Sequence, residues 1–405
     1  MSDAPDEAEF RARCRDFLEE HAVGMNLAGD ADAGGSKRLE AGRKFQNALF
    51  DAGLAGLTYA KEYGGQGLDK SYEKIWREEY ANYPNMTFEF TISHGMCLPM
   101  LAEYGTDEQK AAHLKDNIRG DTVWCQMFSE PGAGSDVASL QTKAERDGDT
   151  WVINGQKVWT TLAHVSDYGV VIARTDPEVA KHAGISMFIV PMDDPGVEVR
   201  PIHQIDGGKH FNEVFFTDLS IPLDNLIGEL NNGWNMATAM LMYERVAIGA
   251  GATAGVKHER ADALIEEATK RGMITDPTLR QKLMRIYIME TCQSIVSMRT
   301  RADMQAGKTP GPGGSIGKLS STNIMNYVRD VSMEIVGASG VAWEHESGGG
   351  WARGALTGLQ GGIAGGTNEI QKNIIGDRVL GLPRDISVDK GVPFKDLKVG
   401  TQKGD

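Results

Sequence analysis

The stretch from Cys125 to Asp136, CQMFSEPGAGSD, is the first part of the chain whose residue types and spacing could do chemistry. Gly132 and Gly134 allow the backbone to approach a flat or phosphorylated ligand closely, because glycine has no Cβ. Ser129 and Ser135 add hydroxyl donors. By itself the segment is a glycine-rich turn after a strand. It has neither GxGxxG nor the Walker spacing, so it is no dinucleotide fingerprint. Glu244 is a second candidate. It lies in WNMATAMLMYERVAIGAG, which is apolar almost all round and reads as a buried helix. Its helical neighbours Met240, Leu241, Ala247 and Ile248 cannot pair with it, and Arg245 points in another direction. A carboxylate there is costly unless it has a task or a distant partner. Desolvation of a carboxyl lifts its pKa above about 4.3, which suits a general base. A tertiary ion pair with a Lys or Arg is the alternative.

Three textures must position these residues. From Glu7 to about Gly120 the pattern is helical; EAEFRARCRDFLEEH sets Phe10, Cys14 and Phe17 on one apolar stripe. Ala22 to Ser36 reads as a loop, and Thr106 with Gln109 forms a capping box before DEQKAAHLKDNI. From Thr122 to about Leu230 the texture is β. WVINGQKVW reads as a hairpin around Asn154-Gly155, followed by YGVVIAR, GISMFIVP, GVEVRPI and NEVFFTDLSIP. From Trp234 to about Leu382 the chain is helical again, interrupted at Gly307 to Gly314. The expected domains are 1–121, 122–232 and 233–386, with 387–405 a flexible tail.

At 405 residues the chain is long enough for two or three domains. Its 41% hydrophobic and 24% charged residues suit a soluble globular protein. No apolar run reaches the length of a membrane span, and the acidic start is not a signal peptide, so a cytoplasmic protein is expected. Cys14, Cys97, Cys125 and Cys292 are far apart, and there is no HExxH, which argues against disulfides and a metal site. A net charge of −14 argues against nucleic acid or an anionic membrane as partner. Any anionic ligand must therefore find a locally favourable field.

SEPGAGSD, then NGQKVWTT, then FNEVFFTDLSIP, and late in the chain GGTNEIQKNIIGDRVLGLPR, together resemble the acyl-CoA dehydrogenase family nearly end to end. The resemblance implies an α+β fold with an N-terminal helical domain, a central small β-barrel and a C-terminal four-helix bundle. It implies FAD between the β domain and the C-terminal helices. The backbone of Phe128 and Ser129 and the Gly134-Ser135 turn would meet the pyrimidine edge and phosphates. Trp159 would lie along the ring system and Thr161 near N5, with Thr367 and Glu369 also at the cofactor. Without its motif, Trp159 reads equally well as a buried barrel tryptophan. Ser135, Tyr243 and Arg245 are expected at the substrate.

In many members the base precedes the late Gly-Thr; here that place is Gly365, and it carries no carboxylate. Glu369, one turn further on, is also a helix-start charge. The other family location, at YER, gives Glu244 as the base. The Gly365 backbone N–H, with a ribityl hydroxyl of the flavin, would hold the thioester carbonyl. The implied reaction is α,β-dehydrogenation of an acyl-CoA to the 2-enoyl-CoA in lipid metabolism. Glu244 would take the α-proton, flavin N5 would accept the β-hydride, and the electrons would pass to an electron-transfer flavoprotein. A base on this helix leans toward branched-chain, long-chain or steroid side-chain substrates.

Two family features depart from the pattern. KRGMITDPTLRQKL has Arg271 but no Phe-Gly, and MEIVGASG has Glu334 where Gln and Ala338 where Gly are usual. An acid near a pyrophosphate is unfavourable, so the chain is expected either as a homotetramer holding FAD by other residues or as a heterotetramer with a related subunit. The rival readings are a non-catalytic subunit of such a complex, an acyl-CoA oxidase and a flavin monooxygenase.

Overall fold

The computed structural model describes residues 4–23, 36–249, 258–305, 313–341, 349–384, 386–387 and 389–397. The chain divides into two units, 1–244 with 387–405, and 245–386.

The first unit opens with α1 (Pro5–His21), α2 (Ser36–Asp51), α3 (Lys70–Tyr80), α4 (Leu98–Tyr104) and α5 (Asp107–Arg119). The expected stripe of α1 is realised: Phe10, Cys14 and Phe17 are all buried. Phe17 meets Phe45 of α2 and Trp76 of α3 edge-on, so one aromatic joins three helices. The Thr106–Gln109 capping box is present, and Gly120 closes α5 at φ 90°. Most of the expected Ala22–Ser36 loop lies outside the described residues. Before α4, residues 93–97 form a π turn. There the Ser93 hydroxyl accepts from Trp124 N at 2.7 Å and donates to Trp124 O at 3.3 Å.

The β strands are β1 (Trp124–Met127), β2 (Lys143–Asp147), β3 (Thr150–Thr161), β4 (Tyr168–Arg174), β5 (Ile185–Pro191), β6 (Val197–Pro201), β7 (Phe211–Pro222) and β8 (Leu226–Ile227). They form one sheet in the order β6-β7-β3-β2-β4-β5-β8, with β1 parallel to β4. One apolar core takes side chains from β3 and β7 as well as from β4 and β5, and Trp151 meets Phe188 at 5.3 Å. The sheet therefore curls round a core as the expected barrel would. It is open, however: β6 and β8 end the order without pairing to each other among the described residues.

The expected hairpin at Asn154-Gly155 is corrected. β3 runs straight through these residues, and the hairpin is the one between β2 and β3, where Gly148 has φ 56°. Asn154 instead exchanges two hydrogen bonds with Asp218 of β7, at 3.1 and 2.8 Å. Gly155 sits at a β-bulge against Thr142, whose Cα would lie 2.6 Å from an added Cβ. The glycine serves close packing, not a turn.

The expected flexible tail is also corrected over residues 389–397. Phe394 N donates to Val179 O at 2.8 Å, and the Arg174 guanidinium lies 3.7 Å over the Phe394 ring. Lys181 pairs with Asp389 and with Asp136, the end of SEPGAGSD.

α6 (Gly233–Gly249) starts in this unit, with Met236, Ala237 and Met240 fully buried. In the second unit, α7 (Glu259–Lys270), α8 (Pro277–Gln305), α9 (Gly313–Val336) and α10 (Gly349–Thr357) make the expected helical bundle. Leu264, Leu283, Ile286, Val331 and Ile335 form its core, with Trp351 against them. α11 (Asn368–Ile374) follows. The Gly307–Gly314 interruption falls between α8 and α9 and lies largely outside the described residues.

Candidate functional site

A buried ion pair joins the two β-domain motifs. Lys157 of KVWTT is fully buried and donates to Glu130 Oε1 of SEPGAGSD at 2.8 Å and to Phe128 O at 3.1 Å. The Glu130 carboxylate also accepts from Gln141 N at 2.6 Å and Thr142 N at 2.9 Å. Val158 N donates to Ser129 O at 2.9 Å. Burial alone would raise the pKa of Glu130, but the Lys157 ammonium and these donors hold it below the ordinary carboxylate range. Burial draws the Lys157 pKa down, against the pull of Glu130.

The strand then departs from regular pairing. Its register against β7 shifts between Lys157 and Thr160, and Trp159 stands at φ 61° with 59% of its surface exposed. A bulky residue in this region costs about 1–3 kcal/mol and persists only where its surroundings dictate it. Anchors lie on both sides: Lys157 and Val158 before it, and Thr160 after it, whose carbonyl accepts from buried Asn212 Nδ2 at 2.9 Å. Phe211 meets the indole edge-on at 6.1 Å, and Thr161 pairs with Phe211 in the ladder.

Of the residues singled out in this loop, Phe128 is buried, Ser129 half-buried, and Gly134 and Ser135 exposed. A Cβ added at Gly134 would meet nothing within 4 Å, so the space beside that backbone is open. Trp159 is not a buried barrel tryptophan.

In the second unit Gly365 and Gly366 take φ 65° and 84°. Gln371, 1% exposed, donates from Nε2 to both of their carbonyls, at 3.0 and 3.3 Å. Thr367 caps α11, its hydroxyl accepting from Ile370 N at 3.2 Å. Glu369 is exposed and lies 3.7 Å from Lys372, as a helix-start charge would. Arg271 bonds Glu267 at 2.6 Å and Ser339 at 2.8 Å. Tyr243, Glu244 and Arg245 belong to α6, but their side chains lie outside the described residues.

Family models match the chain in three consecutive parts: the acyl-CoA dehydrogenase N-terminal domain at residues 4–121, the middle domain at 125–219 and the C-terminal domain at 231–380. The chain belongs to the acyl-CoA dehydrogenase family. Acyl-CoA dehydrogenase IpdE1 of Mycobacterium tuberculosis (strain ATCC 25618 / H37Rv) is 39% identical over 94% of this chain and 99% of its own length. Among solved structures, the Tcur3481-Tcur3483 steroid ACAD is 29% identical with TM-score 0.77, covering 95% of this chain and 99% of that one. A chain of the ChsE4-ChsE5 complex from Mycobacterium tuberculosis is 29% identical with TM-score 0.73, covering 95% of this chain and all (100%) of that one.

This acyl-CoA dehydrogenase is thus an oxidoreductase of a flavoprotein family whose usual cofactor is FAD. The residues present fit such a group: an exposed flat indole on a bulge, and beside Gly134 the open space that a side chain would have filled. Among the described residues no three His, Cys, Asp or Glu side chains gather as a metal site, and no helix is long and apolar enough to cross a membrane. Glu130 and Lys157 stand within the two motifs, where the sequence assigns them no role. Their signal was a lysine at an inward-facing strand position between two motif residues, legible only once its partner was known.

Proposed function

We propose that the chain dehydrogenates an acyl-CoA thioester between its α and β carbons, with Glu244 as the base. Bound FAD would supply the acceptor for the β-hydride. Phe128, Ser129, Gly134, Ser135, Trp159, Thr161, Thr367 and Glu369 are the residues that the family resemblance offers to hold it. Glu244 receives the α-proton on its carboxylate. The Gly365 backbone N–H donates to the thioester carbonyl and so stabilises the enolate-like charge that develops. Ser135, Tyr243 and Arg245 orient the substrate.

The observation that carries this reading is the backbone of Gly365. At φ 65° it holds the left-handed conformation that favours glycine, and the loop position carries no carboxylate. With no carboxylate at that place, the family resemblance at Tyr243-Glu244-Arg245 supports Glu244, one helical turn beyond buried Met240, as the base. The name of the Tcur3481-Tcur3483 neighbour, a steroid ACAD, supports a bulky acyl group such as a steroid side chain. The ChsE4-ChsE5 neighbour is a complex of two chains, which supports a mixed assembly over a homotetramer. The electrons would leave to an electron-transfer flavoprotein.

Anaerobic titration with acyl-CoA tests the reading. Wild-type flavin should bleach, and Glu244→Gln should keep its flavin but reduce at least a thousandfold more slowly. Near-normal reduction by that variant sinks the assignment. Failure of every acyl-CoA to bleach the wild type would favour a non-catalytic subunit. Reoxidation by air as fast as by electron-transfer flavoprotein would favour an oxidase.

A further inference from the structure

We propose that the buried Glu130–Lys157 pair is a positioning device that fixes the Phe128–Ser129 backbone and the Trp159 bulge as one rigid ligand-facing edge. Its role toward a flavin rests on the reading above; its role in holding Trp159 does not.

The geometry assigns the pair more than packing. A buried ion pair is a poor source of stability, since apolar residues of similar volume serve the interior as well. What apolar residues cannot supply is direction. Lys157 Nζ reaches both Phe128 O and Glu130 Oε1, and the carboxylate reaches back to Gln141 N and Thr142 N. The start of SEPGAGSD is thereby tied to the middle of β3 and to the approach to β2. The tie falls where β3 loses its regular partners: its register against β7 slips between Lys157 and Thr160, and Val158 N turns to Ser129 O instead. Trp159, the next residue, keeps φ 61° with its indole 59% exposed, so the edge-on contact with Phe211 is little to hold it there. The constraint comes from its neighbours. On the upstream side that means Lys157, 0% exposed, and Glu130, 6% exposed, neither of which opens toward solvent. Both are therefore positioning residues, acting through Trp159 and the Phe128–Ser129 carbonyls.

The experiment compares wild type, Glu130→Gln, Lys157→Met and Lys157→Arg on two readouts. The first is the 19F resonance of Trp159 in 5-fluorotryptophan-labelled apoprotein, identified by its loss in Trp159→Phe. The second is the Kd for FAD, with far-UV circular dichroism and cooperative melting reporting that the fold is kept. Glu130→Gln and Lys157→Met should shift or broaden the Trp159 resonance and weaken FAD at least tenfold, while Lys157→Arg recovers part of both. An unchanged Trp159 resonance in folded Glu130→Gln and Lys157→Met overturns the proposal. Should those two not fold, Lys157→Arg decides by the same resonance, which must move because the guanidinium changes the reach to Phe128 O. If wild type takes up no FAD, the flavin reading falls and the resonance alone decides the role of the pair.

Discussion

Glu334 on α9 lies 2.6 Å from the ammonium of Lys282 on α8. The acidic Glu334 thus comes with its own counter-charge. The bond to Glu334 raises the Lys282 pKa, although burial opposes it. Both side chains are more than a third exposed, and an exposed pair holds the fold only weakly. Lys282→Met should therefore move the melting temperature by no more than ~2 °C, and less in high salt. If this region serves a neighbouring subunit's cofactor, Lys282→Met should lower the flavin per chain of the assembled protein and Glu334→Gln should not. The ratio of flavin to protein absorbance measures both.

The Gly365-Gly366 turn tolerates no side chain at its second residue. Gly366 has φ 84°, and an added Cβ would lie 2.7 Å from Gln371 Nε2, the donor that ties the turn to α11. Gly366→Ala should cost about 2 kcal/mol from backbone strain and the lost bond together. A urea midpoint shift at constant slope would measure it; an unchanged midpoint would mean that the turn adapts.

His94 makes the fold sensitive to acid. Its Nε2 donates to Asn117 O at 2.8 Å, and burial pushes its pKa from 6.5 down to about 4. The unfolded chain thus takes up this proton first as pH falls. The stability His94 contributes is complete above about 6.5 and is lost as pH falls toward 4, by at most about 3 kcal/mol. His94→Gln, which keeps a donor but does not titrate, should flatten that limb in denaturation curves taken from pH 7 to pH 4.

The docked segment 389–397 should loosen when its aromatic is removed. Phe394→Ala takes the ring from under Arg174, whose pKa burial already draws down to about 10. Cation–π contacts of this kind contribute about 1–2 kcal/mol. The amides of Phe394 and Lys395, bonded to Val179 O and Pro177 O, should exchange with deuterium at least tenfold faster, while those of β4 and β5 stay protected.

Much of the architecture was legible because periodicity reports burial. The stripe of Phe10, Cys14 and Phe17 announced α1, and Thr106 with Gln109 announced the start of α5. Asn154-Gly155 misled because local turn chemistry gave way to tertiary contacts: Asp218 engages the asparagine, and Thr142 demands a residue without Cβ. Residues 389–397 misled because their polar composition hides a buried aromatic, Phe394, whose cationic partner lies 220 positions earlier at Arg174. The two β-domain motifs do meet, through Val158 N to Ser129 O, and Trp159 beside them is exposed. The Glu130–Lys157 tie escaped, because separation along the chain says nothing of which buried charges meet.

The Ser93 hydroxyl has a role beyond the π turn that carries it. Trp124 directs its N–H and C=O away from β4, and that one hydroxyl occupies both. A side chain thus stands where a neighbouring strand would otherwise dock. The first rung of β1 therefore presents neither of these groups to a further strand.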